Sequence, residues 1–453
     1  MRPARGASAT ALVLALACAG SAHAKVSLQG VGLMAVGWTD NVLSQPANPM
    51  PGMAGMESDW LFELRPSLIL SAGTPRAVER LAYVFDATLF SSHSEANSYQ
   101  NRLEWAGFFI PSKRVELLMS ASVSEGRLNT FNLTSPSQTA SIAPLPAGGT
   151  TFVGGTAQEL LTFEFDPHWR FVQSAGFNLY IPLDPALTPD TFEVDTHWIV
   201  ERSFRRDALG LDLRVDWAEY TAVNGPTIDL TGMPIPNGVI SPTRAQIINA
   251  LTARWRHDFG HWWNTEADLG ATIVVPASGS GSPIWQPAAL AAVRYLHPYA
   301  QLELTYQHAV LPNTIVGQTF AVDSATLRGG VPLGAKTGLV FAASGGYSYG
   351  QTIDFTTNAT VSTVQDVLAD ATLAWAPRRE FSAYLRYSFF YQIGNAGDVQ
   401  ALPTFRRQVI MLGLTGTFPG EAAATVPSRQ ALRVDKSDMP GIPEPHSQPV
   451  APQ

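Results

Sequence analysis

Acidic and basic side chains recur in this chain at every second position of stretches whose remaining positions are apolar. Between residues 60 and 72, Glu63 and Arg65 share one parity, and Trp60, Phe62, Leu64, Pro66, Leu68 and Leu70 share the other. Successive residues of an extended chain point to opposite faces, so one face carries charge and the other is greasy. The same dyad sets Asp212, Arg214 and Asp216 against Leu209, Leu211, Leu213, Val215 and Trp217, and Glu266 and Asp268 against Trp263, Ala267, Leu269 and Ile273. Followed along the chain, the polar face collects Glu63, Arg65, Asp86, Arg102, Glu104, Glu116, Glu164, Arg170, Glu193, Asp195, Asp212, Arg214, Asp216, Arg254, Glu266, Asp268, Arg294, Glu303, Asp366, Asp370, Arg386 and Arg406. Such a set has two uses: paired across neighbouring strands it holds a wall together, and lining a cavity it steers ions or hydrated solutes. Acids outnumber bases, so a conducting cavity of this composition prefers cations weakly.

The stretches that must position these groups are each about ten residues long, which is what a tilted strand needs to cross a bilayer. Eighteen are read, at 26–38, 59–72, 79–90, 101–110, 115–125, 156–166, 169–181, 191–202, 208–219, 245–256, 262–275, 285–296, 300–308, 319–329, 337–349, 364–376, 381–392 and 405–418. The least regular is 319–329. The fold expected is all-β, a transmembrane antiparallel up-and-down β-barrel of about 18 strands, an even number as bacterial outer-membrane barrels have. Connections are expected to alternate strictly. Turns of up to seven residues, such as Pro111 to Arg114 and Pro377 to Glu380, face the periplasm, and loops of nine to thirty residues face outward.

Arg2 and Arg5, an apolar run from Ala9 to Gly20 and Ala22-His23-Ala24 read as a secretory signal peptide over 1–24. The barrel is expected over 25–418, and 419–453, rich in proline and polar residues, as a disordered periplasmic tail. Cleavage removes Cys18, the one cysteine, and with it disulfides, thiol catalysis and cysteine-based metal sites. Of the 29 Lys and Arg residues it also removes two, leaving 27 bases against 37 acids and a formal net charge of −10. Nucleic-acid binding wants the opposite balance. No cofactor is expected, and the histidines show no metal-ligand spacing.

Aromatics on the apolar parity gather at strand ends, Trp38, Trp60, Trp217, Tyr349 and Tyr391 on the outer side and Phe109, Phe165, Trp169, Trp255, Trp263, Tyr295, Trp375, Phe381 and Phe418 on the periplasmic side. Two such belts mark the interfaces of a membrane. A soluble β-fold would place its bulk at mid-strand instead. The last stretch, with Gln408, Ile410, Leu412, Leu414, Gly416 and Phe418 on one parity, resembles a C-terminal barrel-assembly signal, although here the chain continues past Phe418.

Eighteen strands enclose a lumen wide enough for water. No domain precedes the first strand, so gating would fall to loops. The longest is read as 126–155, with Arg127 its one charge and Gly, Ser, Thr, Pro and Ala dominating. Folded inward it offers a neutral, hydroxyl-rich lining suited to carbohydrate; otherwise it is an exposed loop. Phe90, Phe108, Tyr180, Tyr384 and Phe390 either form a slide for sugar rings or simply pack. His308 lies on the outward parity, as the histidine of an outer-membrane lipase would, but no serine accompanies it in register, so no enzyme is expected.

At Gly37-Trp38-Thr39-Asp40-Asn41, Arg65-Pro66-Ser67-Leu68 and Leu81-Ala82-Tyr83 the chain resembles outer-membrane β-barrels of bacterial exopolysaccharide and exosortase systems. The resemblance implies an eighteen-stranded export barrel working with a periplasmic polysaccharide-export partner, for which the tail after Phe418 is a candidate dock. The expected function is therefore polysaccharide passage across the outer membrane of a Gram-negative cell. The alternatives are a general diffusion porin for small solutes and a non-conducting surface scaffold.

Overall fold

The computed structural model describes residues 25–45, 55–128, 150–183, 190–221, 244–260, 262–277, 281–313, 318–334, 337–353, 360–378, 380–395 and 404–418, together with four short strands between 223 and 241. The expected signal segment 1–24 and tail 419–453 lie outside the described residues, as do 129–149 of the neutral loop.

Nine strands run up to the fifth outer connection: β1 (Lys25–Thr39), β2 (Asp59–Thr74), β3 (Ala77–Phe90), β4 (Ser98–Ser112), β5 (Val115–Leu128), β6 (Thr150–Glu164), β7 (Trp169–Pro182), β8 (Thr191–Ser203) and β9 (Asp207–Tyr220). That connection carries two small ribbons, β10 (Val223–Asn224) with β13 (Val239–Ser241) and β11 (Thr227–Ile228) with β12 (Pro234–Ile235). Nine more complete the wall: β14 (Arg244–Gly260), β15 (Trp263–Pro276), β16 (Ile284–His297), β17 (Ala300–Asn313), β18 (Gln318–Pro332), β19 (Leu339–Ile353), β20 (Thr360–Arg378), β21 (Phe381–Asn395) and β22 (Phe405–Phe418).

Each strand of the wall pairs antiparallel with the next, and β1 pairs with β22 from Gly30↔Phe418 to Thr39↔Val409. The sheet is thus a closed barrel of eighteen strands, and the irregular stretch 319–329 belongs to it. Closure removes the sheet edge that hydrocarbon cannot tolerate. Its outer face is apolar along the strands: Leu211, Leu251, Leu269, Leu304, Leu385 and Leu412 are exposed there. Exposed aromatics cluster towards strand ends, with Trp60, Trp217 and Trp285 on one side and Phe165, Trp169, Trp263 and Trp375 on the other. Trp38 faces Trp60 across β1 and β2, and the Trp263 and Tyr295 rings lie 4.8 Å apart. The Arg202 guanidinium lies 5.6 Å from the Trp169 ring centre, a cation over an aromatic face at the rim.

The strands are longer than the alternation indicates, and the larger share of the excess is at outer ends. β6 begins at Thr150 rather than 156, β17 runs to Asn313 rather than 308, and β19 to Ile353 rather than 349. Beyond the apolar band the ladder continues while the dyad fades, because nothing requires an apolar face there. The outer connections shrink accordingly. Connection 314–317 has four residues and turn 333–338 has six, so strict alternation of loop length fails at that place. The longest outer connection is 221–243, not the third, and Arg127 belongs to β5, where its Nη2 donates to the Glu95 carbonyl at 3.1 Å.

Two glycines answer to local demands. Gly260 takes φ +86 at the end of β14, just before the turn into β15. Gly413 lies opposite Tyr384, whose ring occupies the space a side chain there would need.

A charge placed on the outer face is expected to be costly. Leu269→Arg, at the middle of β15, should lower stability by ~2–4 kcal/mol, read as the urea midpoint of the barrel refolded into vesicles. Leu269→Ile should leave that midpoint near the parent value.

Candidate functional site

Inside the barrel, parity turns the charged residues of eighteen strands toward a common space. Every carboxylate and guanidinium of the polar face named above lies on the interior parity, with one exception. Arg406 shares the outward parity of Ile410 and Leu412 and is exposed, and the interior cation is Arg407, 2 % exposed. A one-residue step in a strand exchanges the two faces. Arg407 donates to the Ser44 hydroxyl at 3.3 Å.

The interior charges are paired along and across strands. Arg65 bridges Glu63 at 3.0 Å and Asp86 at 2.6 Å, and Arg102 pairs with Glu104. Arg214 holds Asp216 at 2.9 Å, beside Asp195, which faces Asp216 across β8 and β9. Two acids set opposite each other repel, and the guanidinium on the same face offsets this. His197 pairs with Asp212, Arg386 binds Asp370 at 2.6 Å, and Ser348 donates to Asp366 at 3.2 Å.

The most extended array lies towards the short-turn ends of β7, β8 and β14 to β17. Arg170 reaches Glu201 at 3.6 Å, and Arg256 pairs with the same carboxylate. Arg254 pairs with Glu266 and approaches Asp268 at 3.9 Å, while Arg294 binds Glu266 at 3.0 Å and Glu303 at 2.9 Å. Glu201 and Arg256 were not among the residues read from the sequence. Glu201 shares the parity of Glu193 and Asp195, and Arg256 that of Arg254, so the alternation carried to the strand ends would have found both.

Glu116, Glu164 and Arg328 sit on the same face towards the same end, with Glu164 opposite Arg170 and Glu303 opposite Arg328.

Towards the outer ends the described interior carries apolar clusters. Val42 from the first outer connection and Ala96 from the turn Ser94–Ala96 cap a dry cluster of Ala35, Leu61, Phe90, Val409 and Met411. A second dry cluster joins Ile248, Val274, Val310, Ala321 and Ile353, and a third Phe320, Val322 and Val364. The interior aromatics are distributed among such contacts. Phe90 and Tyr384 share the first cluster, Tyr180 stacks on Phe152 at 5.5 Å, and Phe390 meets Phe405 at 5.5 Å. They do not form a continuous slide.

Thr39-Asp40-Asn41 extends the closing seam with side chains where the β1–β22 ladder stops. The backbone N–H of Gln408 donates to Asp40 Oδ1 at 2.7 Å, and Asn41 Nδ2 donates to the Arg406 and Gln45 carbonyls, both at 2.7 Å. Val42 is thereby turned inward onto its cluster. On the outward face, Asp323 accepts from the Tyr306 hydroxyl at 2.7 Å and lies 2.8 Å from His308 Nδ1. Ser324 has the opposite parity, so this His–Asp pair has no serine in register beside it.

No family model and no curated relative matches the sequence. Among solved structures it is similar to OccK2 (OpdF) of Pseudomonas aeruginosa in complex with glucuronate, 13 % identical, TM-score 0.42, covering 87 % of this chain and 98 % of that one. OccAB3 of Acinetobacter baumannii is 10 % identical, with TM-score 0.43 and 86 % and 100 % covered. The FrpB iron transporter of Neisseria meningitidis is 8 % identical, with TM-score 0.45 and 86 % and 82 % covered.

Two outcomes follow from these contacts. Glu201→Ala removes the carboxylate that Arg170 and Arg256 share in a buried position. It should cost ~3–5 kcal/mol by urea midpoint, with Glu201→Gln, which keeps the shape, losing less. At the outer rim, His93 lies 3.0 Å from Asp59 and pairs with Glu57. The hydrogen bond His93 donates to Glu57, then the one it donates to Asp59, hold the His93 pKa above its ordinary 6.5. The pinning of connection 91–97 is therefore complete below pH 6.5 and is lost as pH rises through the elevated value. Protease cleavage in that connection should increase over the alkaline range, and His93→Gln should abolish this dependence.

Proposed function

We propose that the protein is an outer-membrane pore for hydrophilic solutes, and that the solute is a polysaccharide passed outward in concert with a periplasmic export partner. The observation that carries the pore reading is the pairing of an apolar exterior with an interior of partly hydrated charges. Arg65, Arg102, Glu104 and Arg386 keep 23 %, 33 %, 38 % and 36 % of their side-chain surface exposed inside the closed wall. A barrel that served only as an anchor has no need of such an interior; dry packing would stabilise it better. Guanidiniums and carboxylates in alternation hydrogen-bond hydroxyls without holding any one of them, which suits a long neutral chain sliding past. The charge-free segment 129–149 supports the same reading by its composition. The partner is placed on the tail 419–453 because that is the largest piece expected on the periplasmic side.

A diffusion porin for small solutes is the second reading, favoured by the mixed sign of the wall charge, which excludes neither cations nor anions. Planar-bilayer recording of purified protein should show discrete conductance steps with a weak cation preference, and their absence would leave the scaffold reading in place. Deletion of the gene should abolish surface polysaccharide while small-solute uptake stays normal. Unchanged polysaccharide with impaired uptake favours the porin.

A further inference from the structure

The wall of the barrel overlaps itself at one seam. β16 and β17 are paired from His297↔Ala300 to Ala289↔His308, and there the ladder stops although both strands continue, over 284–288 and 309–313. β17 remains paired with β18 as far as Asn313↔Gln318, and β18 with β19 as far as Phe320↔Thr352. β19 in turn stays paired with β20 as far as Ile353↔Thr360, so the outer ends of β17 to β19 move away from β16 as one continuous sheet.

Parity shows where they go. Val310 and Ala321 share the outward parity of Leu304 and Leu327, and Ile353 that of Tyr347, yet all three pack against Ile248, Val274 and Ile284, which face the interior. The Gln246 side-chain amide donates to the Thr319 hydroxyl, both 3 % exposed, although three strands separate β14 from β18 in the wall. The outer ends of β17 to β19 thus lie inside the barrel, against the inner surface of β14 to β16.

We propose that these outer ends form a hinged gate. It exchanges between the infolded position, which lies against the inner surface of β14 to β16 and narrows the lumen there, and an upright one in which 309–313 pairs with 284–288. The inference rests on the pore reading, and it names what opens the pore. Continued in register, the ladder sets Pro287 opposite Val310 and Trp285 opposite Pro312. The upright position gains backbone pairs, and the infolded one keeps a dry cluster. Pro287 and Pro312 lack the N–H that a ladder uses, so the upright pairing is weakened and neither position dominates by a wide margin.

The hinges are identifiable. On one side Tyr306, His308 and Asp323 fasten β17 to β18 at the last paired rung. On the other, β19 keeps its ladder to β20 as far as Gln351↔Thr363 and shifts register only at its tip, between Gln351 and Ile353, so the bend is spread over the continuous sheet and only the tip has a local irregularity. Interfaces of this kind have two discrete packings rather than a continuum.

Two cysteine pairs in a Cys18→Ser background test the gate. Gln246→Cys with Thr319→Cys should cross-link in membranes, reduce conductance at least tenfold when oxidised, and recover on reduction. Pro287→Cys with Val310→Cys joins positions that meet only in the upright wall. It should also cross-link, and should then hold the channel open, with conductance several-fold above the parent. Failure of the second pair to cross-link while the first does overturns the gate, as does unchanged conductance with the first pair oxidised. If the second pair cross-links and neither it nor the parent conducts, the movement stands and the pore reading falls. Should a cysteine pair fail to fold, Ile248→Ser, on the wall side of the dry cluster, should raise the open fraction several-fold, and an unchanged fraction would overturn the gate.

Discussion

A peptide group inside hydrocarbon has no water to bond, so each N–H and C=O of a spanning strand must find a partner in a neighbouring strand. The closed ladder of this protein follows from that requirement, and so do its departures from regularity. The first and last strands meet over ten rungs, and where the rungs end Asp40 and Asn41 supply side-chain bonds to Gln408 and Arg406. Between β2 and β3 the pairing lapses at Arg65 and Pro66 and resumes in the same register, so a proline in mid-wall is tolerated by a local gap without a shift. Between β16 and β17 the ladder stops well short of both outer ends, and there the chain ends up inside the barrel, where its unpaired edge is kept from lipid.

The dyad made most of this architecture legible. A strand with lipid on one side and a polar interior on the other has no freedom in its pattern, so strand number and the facing of Glu63, Asp212, Glu266 and Asp370 could be read from alternation alone. Legibility fails where the physical asymmetry fails. Above the apolar band both faces meet water, and the outer ends of β6, β17 and β19 ran past their expected limits. In β18, Phe320, Ala321 and Val322 are consecutive and all buried, because infolding encloses both faces. The poor alternation of 319–329 was therefore a property of the fold. Ala309-Val310-Leu311 carries the same mark in the strand before it. Arg406 and Arg407 show the other limit: adjacent like residues leave the choice of face to the pattern around them, and here Gln408 and Ile410 decide it.

Pairing between interior charges could not be read so well. Parity brings a carboxylate and a guanidinium to one face, but the register between strands decides whether they meet. Glu201 gathers Arg170 and Arg256 from the strands β7 and β14, which do not adjoin each other in the wall. Thr39-Asp40-Asn41 carries the resemblance, and its physical content is local, an Asn whose amide bonds two backbone carbonyls and turns Val42 inward.

A mixed-charge wall is costly to dry, since burying ion pairs costs more than their attraction returns unless every bond is satisfied; yet Arg254 and Glu266 in the array of the lower wall are almost fully enclosed, while Arg102 and Glu104 keep 33 % and 38 % of their side-chain surface. Apolar contacts exclude water towards the outer ends, where Val42, Val310 and Phe320 are almost fully enclosed, and also among Leu160, Val172 and Ile199 nearer the opposite ends. The infolded strand ends are thus held by contacts which are weak one at a time. Closure held by dispersed apolar contacts yields to a modest local push, whereas closure by the ion pairs of the lower wall would require several buried charges to part together.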